Sequence, residues 1–177
     1  MLYMLTIYTE QASPRLSYVI ETLFEDILKQ SVRITSDRSS LNVESPTINY
    51  SRLSIPGIPF IRPHSILFEQ GTRILNEAFD PHGIIFPCDS DLVEQDIFAA
   101  AFLLLSRYEE YVVKARDEFG RFQATDSMMM RAGLLEQPLV DQWALQLWTT
   151  LRKHFPTLDP LQRDFKTLAT FDIDVAF

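Results

Sequence analysis

Residues 2–35 read LYMLTIYTEQASPRLSYVIETLFEDILKQSVRIT, and this stretch decides the fold class. Leu2 to Tyr8 is a short run rich in Leu, Ile and Tyr, a composition that suits a strand. It gives way to Thr9-Glu10-Gln11-Ala12-Ser13-Pro14, where Ser13 is a helix-capping residue and Pro14 fits the first turn, which has no use for its missing N–H. Leu16, Val19, Ile20, Leu23, Phe24, Ile27 and Leu28 then recur at steps of three and four, leaving Arg15, Glu21, Glu25, Asp26 and Lys29 for water. Val32-Arg33-Ile34-Thr35 alternates like a strand. The whole is a β-α-β unit, whose crossover is right-handed if the two strands are parallel.

Outward from this opening, 177 residues that are 46% hydrophobic suffice for one domain with a real core. Between Ser36 and Pro63 stand four prolines, Pro46, Pro56, Pro59 and Pro63, which argue against central strands there because proline cannot donate to a ladder. Thr47–Tyr50, Ser65–Phe68 and Ile84–Phe86 read as short strands. The longest helical pattern runs from Glu94 to Tyr111 and is apolar nearly all round in its first half, the mark of a buried helix. Asp117-Glu118-Phe119-Gly120-Arg121-Phe122 reads as a turn. A last helix spans Pro138 to His154, with Leu139, Trp143, Leu147 and Leu151 on its apolar side. The expected fold is a layered α/β domain over residues 1–166, with a mixed sheet, the β-α-β unit at one side and a buried central helix against its face.

Sixteen Lys and Arg against 24 Asp and Glu give a net charge of −8, and no basic run gathers anywhere. Nucleic acid and anionic membrane surfaces are therefore disfavoured as partners. Cys88 is the single cysteine, so no internal disulfide forms, and the first residues lack the basic start and apolar core of a signal peptide. These features fit a cytoplasmic protein.

Among chemically capable residues, Ser106-Arg107-Tyr108-Glu109-Glu110-Tyr111 is the most distinctive string. Arg107, Glu109 and Glu110, with Asp117, form either an Arg-centred polar network that fixes the helix against the following turn, or a cluster for acid–base work or small-ligand binding. His64, His82 and His154 lie far apart, and none sits three or four residues from another as a helical metal pair requires. Met128-Met129-Met130 reads as gap-filling core, and the five scattered glycines form no phosphate loop. Asp141, in the first turn of the last helix, suits the helix dipole.

Residues 165–177 read as a further buried strand, with Asp172 and Asp174 projecting from one face. Two like charges side by side in an apolar run are costly unless something binds them, which points to a metal or to chemistry downstream.

Asp96-Ile-Phe-Ala-Ala-Ala-Phe-Leu-Leu-Leu-Ser-Arg-Tyr-Glu-Glu-Tyr, Asp117-Glu-Phe-Gly-Arg-Phe, Pro138-Leu-Val-Asp-Gln-Trp-Ala and Thr170-Phe-Asp-Ile-Asp occur in this order. Together they resemble the amino-terminal region of polysaccharide deacetylase-like proteins of the Bacteroidetes type. The resemblance implies a hydrolytic deacetylase domain beginning near Thr167 in the same chain, with carbohydrate as substrate, and the leading expectation for residues 1–166 is a non-catalytic accessory domain that packs against that partner. Such enzymes open with a strand ending Thr-Phe-Asp-Asp-Gly, in which the first aspartate is the base and the second binds a divalent metal beside two histidines. Asp172 then matches the base, Ile173 stands where the metal-binding aspartate would be, and Asp174 stands where the glycine would be and is the candidate metal ligand. The paired histidines would lie past Phe177, so the resemblance implies no cofactor within residues 1–177 and a divalent metal in the intact protein. The rival expectations are a self-contained small-ligand or enzyme domain built on Arg107, Glu109 and Glu110, and a protein-interaction module marked by an exposed apolar patch.

Overall fold

A computed structural model describes residues 4–161 and 165–172. The opening unit forms as the pattern demands. Strand β1 (Leu5–Tyr8) is buried along its whole length, helix α1 (Pro14–Ile20) follows, and β2 (Val32–Thr35) lies parallel to β1, with Leu5 opposite Val32 and Ile7 opposite Ile34. Ser13 caps α1, its Oγ accepting the Leu16 N–H at 3.1 Å. Past Ile20 the helix widens into a π-helical stretch, Glu21–Ile27. There the Leu28 N–H reaches back five residues to the Leu23 carbonyl at 3.0 Å, and the chain leaves through Lys29 at a φ of 55°.

Strand β3 (Thr47–Tyr50) pairs in parallel with the other side of β1, and β4 (Phe60–Ile61) pairs in parallel with β3. The sheet order is thus β2-β1-β3-β4. All four strands are parallel, and the antiparallel contribution is an isolated bridge from Ile61 to Ser90 at the β4 edge. A parallel sheet needs both faces covered, and the complete burial of β1 and β3 shows that they are. Strand β4 escapes the sequence pattern because Pro59 and Pro63 flank its two residues instead of interrupting them, and the Pro59 carbonyl accepts the Asn49 N–H at 2.8 Å.

Helix α2 (Ile97–Leu105) is the buried central helix, packed against α1, and α5 (Leu139–His154) closes the core with Trp143, Leu147, Trp148 and Leu151. Phe24, Phe98, Trp148 and Tyr50 bring the π-helical stretch, α2, α5 and β3 into one aromatic cluster; Phe98 stands edge-on to Tyr50 with ring centroids 5.1 Å apart.

Three expectations are corrected. The helix pattern from Glu94 to Tyr111 is broken at Arg107, which takes a φ of 53°, before a short α3 (Glu109–Val112). The break turns Tyr108 inward, where it is buried and its hydroxyl accepts the Arg73 N–H at 2.8 Å. Ser65–Leu67 is a 3-10 turn instead of a strand, because the Arg15 guanidinium and Ser13 hydroxyl take the Ile66 and Leu67 carbonyls. Ile84–Phe86 forms no strand, and the Ile85 N–H is satisfied by the Gln95 side chain.

The closing segment departs furthest from expectation. Residues 165–172 adopt no regular structure, and Phe165, Leu168 and Phe171 are 94%, 86% and 89% exposed. An extended run becomes a strand only when neighbours take its N–H and C=O groups. The four strands of the sheet are instead paired among themselves. Asp172 is exposed, so its carboxylate is hydrated instead of being forced into an apolar layer. Asp174 and the rest of 173–177 lie outside the described residues.

Candidate functional site

The distinctive string at 106–111 is divided among separate partners. Arg107 donates from Nε to Glu110 at 2.6 Å in an exposed pair, whereas Glu109 turns away to accept the Met128 N–H at 2.8 Å and so anchors α4 (Met128–Arg131). Asp117 belongs to its own turn, accepting the N–H groups of Phe119 and Arg121 and the Arg121 Nε–H at 2.8–2.9 Å. These bonds, led by the Arg121 N–H, hold its carboxyl below the usual range. The link from helix to turn is made by Arg116, which donates to the Glu110 carbonyl and lies over Phe122. Arg107 and Glu110 thus pair with each other while Glu109 points to α4, so the three do not converge on one cleft.

The remaining candidates also stay apart. His64 caps the 3-10 turn, its Nδ1 accepting the Ile66 N–H, which leaves Nε2 facing Glu77 at 3.5 Å. Burial pushes the Cys88 thiol up to about 12, which removes it as a nucleophile at neutral pH. Met129 is core. Among the described residues no group of three or more His, Cys, Asp or Glu is placed to hold a metal ion.

Topology builds a different site. In an open parallel sheet, where the chains leaving two neighbouring strands run to opposite sides, a crevice opens beyond the carboxyl ends of those strands. A cleft of about 400 Å³ lies at this position. One wall is Thr9, Glu10 and Gln11 after β1; the second is Tyr50, Ser51 and Arg52 at the end of β3; the third is Pro63, Ser65 and Phe68 after β4. The first two walls are tied together by the Arg52 N–H donating to Glu10 Oε2 at 3.2 Å. The third is held by Arg15, whose guanidinium donates to the carbonyls of Ile66 and Gly71 and stacks over Phe102 at 5.1 Å.

A buried carboxylate underpins the cleft. Asp96, fully buried at the start of α2, accepts four hydrogen bonds: from the N–H groups of Phe98 and Ala99 (both 3.1 Å), from the His64 N–H (2.7 Å) and from the Tyr50 hydroxyl (2.6 Å). Burial raises its pKa, and these donors work against that rise. Burial, followed by the Asp96 charge, raises Tyr50 well above the usual phenol range. The network locks β3, the segment after β4 and α2 into one frame, so the Tyr50 wall is rigid.

The match to the family of unknown function DUF7033 covers residues 5–156, nearly all of this frame. The chain belongs to that family. No curated protein and no solved structure matches it. The matched span contains the four strands, the helices that cover them and all three walls of the cleft, whereas Asp172 and Asp174 fall after it. Sequence reasoning passed over Thr9, Glu10, Gln11, Ser51 and Arg52; the available signal was the turn immediately after the first strand of a β-α-β unit, but strand order was needed to pair it with the end of β3. Among the described residues no helix is long and apolar enough to cross a membrane.

Proposed function

We propose that the chain is a non-catalytic accessory domain whose cleft between β1 and β3 binds a small polar molecule. In this reading it works beside a polysaccharide deacetylase-like unit of the same protein, which would hydrolyse N-acetylated carbohydrate with a divalent metal in a cytoplasmic setting. The cleft is the observation that carries the binding role: it sits where open α/β sheets bind ligands and is lined by hydroxyl, amide and charged groups beside an aromatic ring. The resemblance of Thr170-Phe171-Asp172 and the upstream strings supports the neighbouring deacetylase, with Asp172 as its base and Asp174 as its candidate metal ligand. Titrating the 15N-labelled chain with a panel of small polar molecules is expected to shift the amides of Thr9–Gln11 and Ser51–Arg52 saturably. Turnover of an acetylated sugar by the chain supplied with a divalent cation, lost on Asp172→Ala, would overturn the non-catalytic assignment.

The exposure of Phe165, Leu168 and Phe171 favours a second reading, in which residues 165–172 contact another protein surface. Replacing all three with Ser should abolish binding of an apolar dye and leave the unfolding midpoint unchanged, whereas a lowered midpoint would show that they pack on the core.

A further inference from the structure

A hydroxyl lining a cleft is ambivalent, since it both donates and accepts. Here the protons are already engaged within the protein. Thr9 Oγ1 donates to the Gln11 carbonyl (3.0 Å), Ser51 Oγ to the Asn49 side-chain oxygen (2.6 Å) and Ser65 Oγ to the Glu69 carboxylate. Thr9 and Ser51 are buried behind the cleft surface, so Ser65 Oγ is the exposed hydroxyl of the three, and what it offers an incoming molecule is lone pairs. The Glu10 carboxylate, which receives the Arg52 N–H on one oxygen, adds further acceptors at the same place. This part of the cleft calls for a ligand that donates hydrogen bonds, and a cationic donor is favoured by Glu10.

A positive charge stands on the adjoining rim. Arg52 is exposed, and its guanidinium makes no ion pair among the described residues, so five donors remain for a planar anion. Phosphate is nevertheless poorly served. At the start of α1, Pro14 has no N–H, the Leu16 N–H is taken by Ser13 Oγ, and Arg15 is committed to two backbone carbonyls. Two N–H groups that a phosphate would use at the start of α1 are thus lost, and the Glu10 carboxylate lines the same cleft and repels a multiply charged anion. A single carboxylate meets neither obstacle, because Arg52 reaches it from the other rim. The volume, about 400 Å³, is toward the small end of ligand sites, which span roughly 300–1,000 Å³.

We infer that the cleft binds a small zwitterion of the α-amino acid class, with its ammonium on Glu10, its carboxylate on Arg52 and its side chain against Phe68. This rests on the binding role proposed above and adds the chemistry of the ligand. The probes are leucine, N-acetylleucine, leucine methyl ester, glucose and inorganic phosphate, each titrated into the 15N-labelled chain. Leucine is expected to shift the Thr9–Gln11 and Ser51–Arg52 amides, with at least tenfold weaker binding for the acetylated and the esterified forms. Glu10→Gln should abolish the preference for leucine over N-acetylleucine, and Arg52→Gln the preference over the ester; both residues are exposed, and unchanged core amide positions confirm the fold. Glucose or phosphate binding as tightly as leucine would overturn the zwitterion and leave the cleft as a binding site. If no probe moved those amides, the zwitterion and the binding role would fall together.

Discussion

The cleft between β1 and β3 and the polar segment from Arg107 to Arg121 make opposite use of similar residues. In the polar segment, carboxylates and guanidiniums find partners a few positions away: Arg107 with Glu110, Arg121 with Asp117, Arg116 with the Glu110 carbonyl. In the cleft the ties are long. Glu10 meets Arg52, Arg15 meets Ile66, and Tyr50 meets Asp96, separations of 42, 51 and 46 residues. A string rich in charge tends to satisfy itself locally, and such satisfaction leaves little for a ligand. A cleft assembled by topology collects ordinary residues whose remaining hydrogen-bonding capacity is aimed at the same space.

The sharpest way to break this comparison is to remove the support beneath the cleft. Asp96→Ala strands four donors in the core, each lost bond costing about 1–3 kcal/mol in a buried setting, so a loss of at least about 3 kcal/mol is expected in urea unfolding. Asp96→Asn, which keeps an acceptor, should lose less; equal loss in the two variants would show that charge, not hydrogen bonding, holds the frame. Next in size, Arg15→Met should cost about 1.5–3 kcal/mol through its bonds to Ile66 and Gly71 and should broaden the amide signals of Ser65–Phe68.

Changes in the polar segment should be mild. Arg107→Gly relieves a left-handed backbone and loses an exposed ion pair, so stability should stay level or rise by up to about 1 kcal/mol, with no change in cleft titrations. A fall of more than that would give Arg107 a larger part than the geometry assigns. The smallest effect is expected at Asp117. Its folded pKa is lowered, so its contribution is complete above the unfolded carboxylate range and disappears only as pH falls through the folded value. The Phe119 and Arg121 amide shifts should therefore stay constant from neutral pH down to that range and move only below it.

Much of the frame was legible in the residues. The cap at Ser13, the periodicity of Leu16 to Leu28 and the alternation at Val32–Thr35 specify local structure that tertiary packing reinforces, and the apolar side of α5 matches the buried set. Harder to read were the features set by distant partners. Ser65–Leu67 has strand-like composition, but two side chains from the start of α1 claim its carbonyls. Arg107 breaks a helix that its neighbours would continue, because Tyr108 is needed inside. Phe165 to Asp172 has strand-like composition, yet among the described residues no strand of the sheet is paired with this segment. The cleft was hidden for the same reason: Glu10 and Arg52 look unremarkable until strand order places them together.

Strand β4 is two residues long and lies between Pro59 and Pro63, while Arg62 and Asp91 tie its margin to the 89–91 segment through backbone bonds of 2.9 Å. That margin is sealed against the templated growth by which exposed β-edges recruit other chains. Any self-association through strand addition is thus channelled to the opposite border, at Val32–Thr35, where a proline or a lysine would be the economical place to improve solubility without touching the cleft.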